Sequence, residues 1–222
     1  MNDRRAALVF AFMLFACGGG TQASNNLVVP HDAGLDQAGG AGGSGGAPEG
    51  GNRDCNQNLT FDDPLVETAV RQGAGVPTGP LSQSDIGGIT YLIVESGAQS
   101  LGGVECLQAL ESIAARDGTI EDLSPLRQLV KLRAVVIERN RIRDLSPLSN
   151  LPQLRMIRAD DNLVQSLDGF HVVLSHECAL ELHLVNNSVG DAEVQPFCDL
   201  GWVVRWGGGD GGSISSCNSP CL

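Results

Sequence analysis

The chain repeats itself every 22 residues, and no other feature limits its fold so tightly. Asp122, Leu123, Ser124, Pro125 and Leu126 return as Asp144, Leu145, Ser146, Pro147 and Leu148. One period earlier stand Ser100, Leu101, Gly102, Gly103 and Val104; one period later stand Ser166, Leu167, Asp168, Gly169 and Phe170. The residues before each group also superpose. Leu132, Val135, Ile137, Asn140 and Ile142 fall on Leu154, Ile157, Ala159, Asn162 and Val164, and on Leu110, Ile113, Ala115, Gly118 and Ile120. A unit this short cannot enclose a core of its own, so the units must stack and share one. Val135 and Ile137 alternate as inward residues of a short strand do. Leu145 and Leu148 close the unit from the opposite side, and Pro147 after Ser146 suits the first turn of a short helical segment. Asn140 and Asn162 stand where the chain leaves the strand, where a side-chain amide can satisfy backbone groups of neighbouring units.

Written as L-x-x-L-x-L-x-x-N-x-L, this spacing resembles a leucine-rich repeat, of the 22-residue kind found in bacterial internalin-like proteins. The resemblance covers roughly residues 60–190 and is most specific over 100–167. It implies an α/β fold: a solenoid with short parallel strands on its concave face, an N-terminal helical cap and a disulfide-stapled C-terminal cap. Five coils are expected. The first places Tyr91, Ile93, Ser96, Ala98 and Leu101 at the key positions; the fifth, after a spacing of 25, uses Leu182, Leu184, Asn187 and Val189. Before the coils, residues 61–71 read as a helix with Asp63 as N-cap and Pro64 in its first turn. Residues 81–85 look like the capping region before internalin-type repeats. After the coils, residues 201–206 read as a closing strand whose Trp202 and Trp206 cover the last core layer.

In this family of folds partners bind the concave face, so the outward strand positions are the candidate site. They include Leu92, Arg116, Val136, Glu138, Arg139, Met156, Arg158, Asp160, Asp161 and His183. Neighbouring strands lie about 4.8 Å apart, so equivalent positions touch. One ladder reads Val94, Arg116, Glu138, Asp160, Val185; the next reads Glu95, Asp117, Arg139, Asp161, Asn186. Such alternating charges either meet a partner or pair among themselves, and exposed pairs of the second kind are worth little. The apolar row Leu92, Ala114, Val136 with Met156 points more directly to contact. Residues 127–158 carry eight basic side chains against Glu138 and Asp144, which leaves a local docking site for an acidic glycan or protein open.

The N-terminus sets the compartment. A charged start, Asp3, Arg4 and Arg5, precedes an apolar run over 6–16, too short to cross a bilayer core of about 30 Å. The run ends at Leu14, Phe15, Ala16 and Cys17 and resembles a bacterial lipoprotein signal. That resemblance implies cleavage before Cys17, lipidation of Cys17 and a place in the bacterial cell envelope. Gly18, rather than Asp, points to the outer membrane by family habit. Multiple acyl chains on one residue make a stable anchor. Residues 18–53 show no apolar periodicity and are Gly-rich; as a coil they span roughly 30–35 Å. The expected organisation is therefore a signal peptide over 1–16, a tether over 17–53, a capped repeat domain over 54–206 and a loose Cys-containing tail over 207–222.

Export makes disulfides the natural use of Cys55, Cys106, Cys178, Cys198, Cys217 and Cys221. Connectivity is not readable from spacing. The expected arrangement is Cys55–Cys106, Cys178–Cys198 and Cys217–Cys221, stapling both caps and the tail. His171, His176 and His183 surround Cys178 without any metal-ligand spacing, so neither metal nor cofactor is expected. A net charge of −12 argues against nucleic acid. None of the common hydrolase or nucleotide-binding motifs occurs, and Asp160, Asp161 and His183 are the only candidates for chemistry. The expected function is a membrane-anchored, non-enzymatic binding module for protein or peptide partners. The alternative is an envelope component that self-associates or packs on the cell wall; oligomeric state is not readable.

Overall fold

The computed structural model describes Cys55 and residues 59–171, 180–208 and 212–217. The 22-residue period becomes a translation. Strands β1 (Tyr91–Val94), β2 (Ser112–Ala115), β3 (Ala134–Val136), β4 (Met156–Arg158), β5 (Glu181–Val185) and β6 (Val203–Gly207) pair in parallel and in sequence order. A last strand, β7 (Ile214–Cys217), returns antiparallel against β6. Ser112 stands beside Ala134, and Ala134 beside Met156, one period apart each time. The longer spacing appears between Met156 and Glu181. The period then resumes, because Glu181 pairs with Val203. The closing strand is thus a sixth parallel member rather than a separate cover.

Opposite the sheet, the first three coils close through short 3-10 turns: Val104–Cys106, Ser124–Leu126 and Ser146–Leu148. In the second and third turns, Asp122 and Asp144 accept hydrogen bonds from the Ser124 and Ser146 amides at 2.7 Å, with proline in the first turn. That is why Asp-Leu-Ser-Pro-Leu recurs. Between sheet and turns runs one apolar spine that includes Leu110, Leu132 and Leu154, Ile113, Val135, Ile157 and Leu182, and Ile120, Ile142 and Val164. Each such buried side chain stabilises by about 1.5–3 kcal/mol.

An amide ladder ties the coils together. Asn140 Oδ1 accepts from the Ile120 amide at 3.1 Å while its Nδ2 donates to Ala115 O at 2.8 Å. Asn162 does the same with Ile142 and Ile137, and Asn187 with Val164 and Ala159. All three are buried. Buried backbone groups at the corners would otherwise be left unpaired.

Both ends are covered. Helix α1 (Pro64–Ala74) buries Val66, Ala69 and Val70 and ends on Gly75, whose φ of 69° closes the helix. Asp63 caps it by accepting from the Leu65 amide, and its second oxygen accepts from the Gln99 amide at 2.7 Å, fixing the cap to the first coil. A short helix α2 (Gln83–Ile86) follows, opened by Ser82 and Asp85 bonding reciprocally. Cys55 is joined to Cys106. At the far end, helix α3 (Asp191–Asp199) replaces the 3-10 turn, and Phe170, Phe197 and Trp202 meet with ring centroids 4.9–6.3 Å apart.

Three expectations require correction. The first coil is out of phase: Leu92 pairs with Ile113 and Val94 with Ala115, a spacing of 21. Leu92 is 2% exposed and belongs to the core, whereas Tyr91 and Ile93 face out. Beyond the strand the period of 22 returns, with the Thr119 amide bonding Ala98 O as Arg141 does Ile120 O. The turn after β1 is therefore one residue short, and a one-residue slip exchanges every side chain between faces. Second, Cys198 bonds to Cys217, which excludes the expected Cys178–Cys198 and Cys217–Cys221 pairs. The third concerns the tail. Its residues 214–217 form β7, and Cys217 joins α3 to that strand. Cys178, Cys221 and His176 lie outside the described residues, as do Cys17 and all of 1–54. Among the described residues no helix is long and apolar enough to cross a membrane.

Candidate functional site on the concave face

Parallel registry turns the outward strand positions into rows. The first reads Tyr91, Ser112, Ala134, Met156, Glu181, Val203. The second reads Ile93, Ala114, Val136, Arg158, His183, Arg205. The face is therefore divided along the solenoid. Over β1 to β3, with Met156, it is apolar. Over β4 to β6 it is charged.

The apolar half begins with the two most exposed large apolar side chains of the sheet, Tyr91 at 70% and Ile93 at 62%. Ala134 and Val136 behind them are largely covered, and Met156 is half-buried. A shallow hollow opens beside Ile93, lined also by Glu95, Ala114, Arg116 and Asp117. Tyr91 and Ile93 were not legible as surface. The run Tyr91, Leu92, Ile93, Val94 is apolar on both faces, so alternation gives no parity.

Past the strand ends, the two charged ladders satisfy themselves. Arg116 Nε lies 3.0 Å from Glu138 Oε2, an ion pair without hydrogen-bond alignment. Arg139 grips both oxygens of Asp117 with Nε and Nη2. That hydrogen bonding holds the Asp117 carboxyl below its usual range and raises the Arg139 guanidinium. Asp161 accepts from Asn186 Nδ2 at 2.7 Å, and Asp160 from the Val185 amide at 2.7 Å. Asp117, Arg139, Asp161 and Asn186 all turn the chain at φ 54–57°. Asp and Asn tolerate this region, while Arg139 occupies it at a cost of roughly 1–2 kcal/mol. Of the sequence-selected residues, Arg116 and Glu138 thus pair with each other, Arg139 with Asp117, Asp160 with the Val185 amide and Asp161 with Asn186. The self-paired alternative describes them.

The charged half centres on His183, which is 6% exposed. Its Nε2 lies 2.7 Å from Glu181 Oε1, and its Nδ1 lies 3.9 Å from Asp160 Oδ2. Arg158 and Arg205 flank it on the adjoining strands. Among the described residues no group of His, Cys, Asp and Glu is placed to hold a metal ion. Asp160 and Asp161 follow one another in the chain but have different partners, so they do not form a carboxylate pair.

Stacked coils, a parallel sheet and buried asparagines define a leucine-rich-repeat solenoid, and the likeness is to internalins. An internalin (InlF) from Listeria monocytogenes matches with a TM-score of 0.52 and 26% identity, covering 66% of this chain and 49% of that one. The chain thus spans about half the length of that internalin. Internalin C2 of the same organism is 21% identical over 67% of this chain and 95% of its own, with a TM-score of 0.33, too low to argue from. No family model matches the sequence, and neither does any curated protein.

Proposed function

We propose that the chain is a non-enzymatic binding module that holds a protein or peptide on its concave face, tethered to a bacterial envelope by lipid on Cys17. One observation carries the reading: Tyr91 and Ile93 stand exposed on an ordered sheet, beside Ala114, Val136 and Met156. A soluble protein gains nothing by placing large apolar side chains on the hollow side of a solenoid unless something covers them. Exposed aromatic anchors are also the commonest energetic centres of protein interfaces. The tether and anchor rest on the 6–16 apolar run, Cys17 and the Gly-rich stretch that follows.

Proximity labelling at the envelope tests the module. Partners should be lost with Tyr91→Asp and Ile93→Asp but retained with Val130→Asp, an exposed apolar position outside the strands. Equal loss from all three variants would refute concave-face docking. Capture of further copies of this chain alone would favour a self-associating envelope component. The anchor is tested separately: Cys17→Ser should move the chain from the membrane fraction to the soluble one.

A further inference from the structure

Resting on that reading, we infer that the partner presents an acidic side chain to Arg158 and Arg205, about six residues from the apolar side chains that cover Tyr91 and Ile93. Arg158 and Arg205 flank His183 in one row of strand positions on β4, β5 and β6. Neither is spent. Arg158 is 34% exposed, and its nearest carboxylate, Glu181 Oε1, is 3.7 Å away, too far for a hydrogen bond. Its buried Nε has no acceptor. Arg205 is exposed and has no carboxylate partner among the described residues.

One oxygen of each nearby carboxylate is already engaged. Glu181 lies at hydrogen-bond distance from His183, and Asp160 takes the Val185 amide. This half of the face therefore offers two guanidinium groups that no carboxylate among the described residues holds by a hydrogen bond. A carboxylate matches an arginine fork through two parallel hydrogen bonds, which a neutral amide or hydroxyl does not. The contrast with the other end is informative. Arg139 is held by two hydrogen bonds to Asp117 and Arg116 lies 3.0 Å from Glu138, so both sit closer to the face's own carboxylates than Arg158 does.

Geometry fixes the spacing. Ile93 lies on β1, and the midpoint between Arg158 and Arg205 lies at β5, four strands away. At about 4.8 Å per strand that is about 19 Å, which an extended segment covers in about six residues. The partner segment crosses the strands, apolar at the β1 end and acidic at the β5 end.

Selection of a random dodecapeptide phage library on the full chain in detergent tests this. Recovered peptides should carry an apolar cluster followed or preceded, about six residues away, by Asp or Glu. On Arg158→Gln/Arg205→Gln the apolar cluster should persist while the acidic position randomises. A recovered peptide should bind that variant about tenfold more weakly. Apolar enrichment without an acidic position, or with a basic one, would overturn the inference and leave concave-face docking standing. Enrichment that is unchanged on Tyr91→Ser/Ile93→Ser would overturn both. Arg205 is exposed and Arg158 half-buried; a thermal melt matching the parent shows that the double variant is folded.

Discussion

Replacing Asn162 with alanine isolates the device that joins one coil to the next. Its Oδ1 accepts from the Ile142 amide at 3.0 Å, and that amide has no other partner among the described residues. Its Nδ2 donates to Ile137 O at 2.9 Å and Ala159 O at 3.1 Å. A third bond goes to Asp160 O at 3.2 Å, and all three carbonyls keep another donor, from Asn140, Asn187 and the Arg139 amide respectively. The variant therefore strands one buried N–H rather than four groups. An unsatisfied buried donor costs about 1–3 kcal/mol. The small void left by the amide adds about 1 kcal/mol, judged from the cavity terms of core truncations. The expected loss is about 2–4 kcal/mol, read as a lowered urea midpoint with disulfides intact. Asn162→Asp should also destabilise, because it keeps the acceptor but turns lone pairs towards Ile137 O and Ala159 O. A change within about 0.5 kcal/mol for Asn162→Ala, the range of ordinary surface substitutions, would refute the ladder argument.

The phase of the first coil is tested by Leu92→Ala, expected to cost about 2–5 kcal/mol in urea unfolding, against Ile93→Ala, expected within about 0.5 kcal/mol; the reverse order would restore the uniform 22-residue frame. Gly118→Asn installs the amide that the repeat carries elsewhere, yet should destabilise, because a Cβ there meets Ala98 O at 2.2 Å and Asn140 Oδ1 at 2.8 Å; a raised melting temperature would refute the packing. Carboxyl NMR should show Asp117 titrating below its ordinary 3.8, and Arg139→Gln should return it towards that value. Since the folded pKa is the lower one, the Asp117–Arg139 contribution is present above the ordinary pKa and is lost as pH falls through the depressed one. Non-reducing peptide mapping should recover Cys55 linked to Cys106 and Cys198 linked to Cys217; a Cys217–Cys221 peptide would contradict the C-terminal closure.

Much of the architecture was determined by sequence alone, because translation along a solenoid writes itself as periodicity. Val135 and Ile137 had to be inward once their counterparts 22 residues away had the same character, and Asn140 and Asn162 had to sit at corners. Asp63 and Pro64 announced the cap for local reasons that need no tertiary context. What tertiary structure alone decided lies where the period breaks or the contact is not local. The turn after β1 lost one residue, and since Tyr91 to Val94 is apolar throughout, only packing against β2 could say which two side chains are buried. Cys198 and Cys217 meet because β7 folds back on β6, a reversal with no signature in the repeat. The charged ladders were visible as alternating signs, but side-chain distances decided which charges are held closely by each other and which, at Arg158 and Arg205, have no carboxylate at hydrogen-bond distance among the described residues. Periodicity fixes where a backbone goes; parity, pairing and residual charge depend on what arrives beside it.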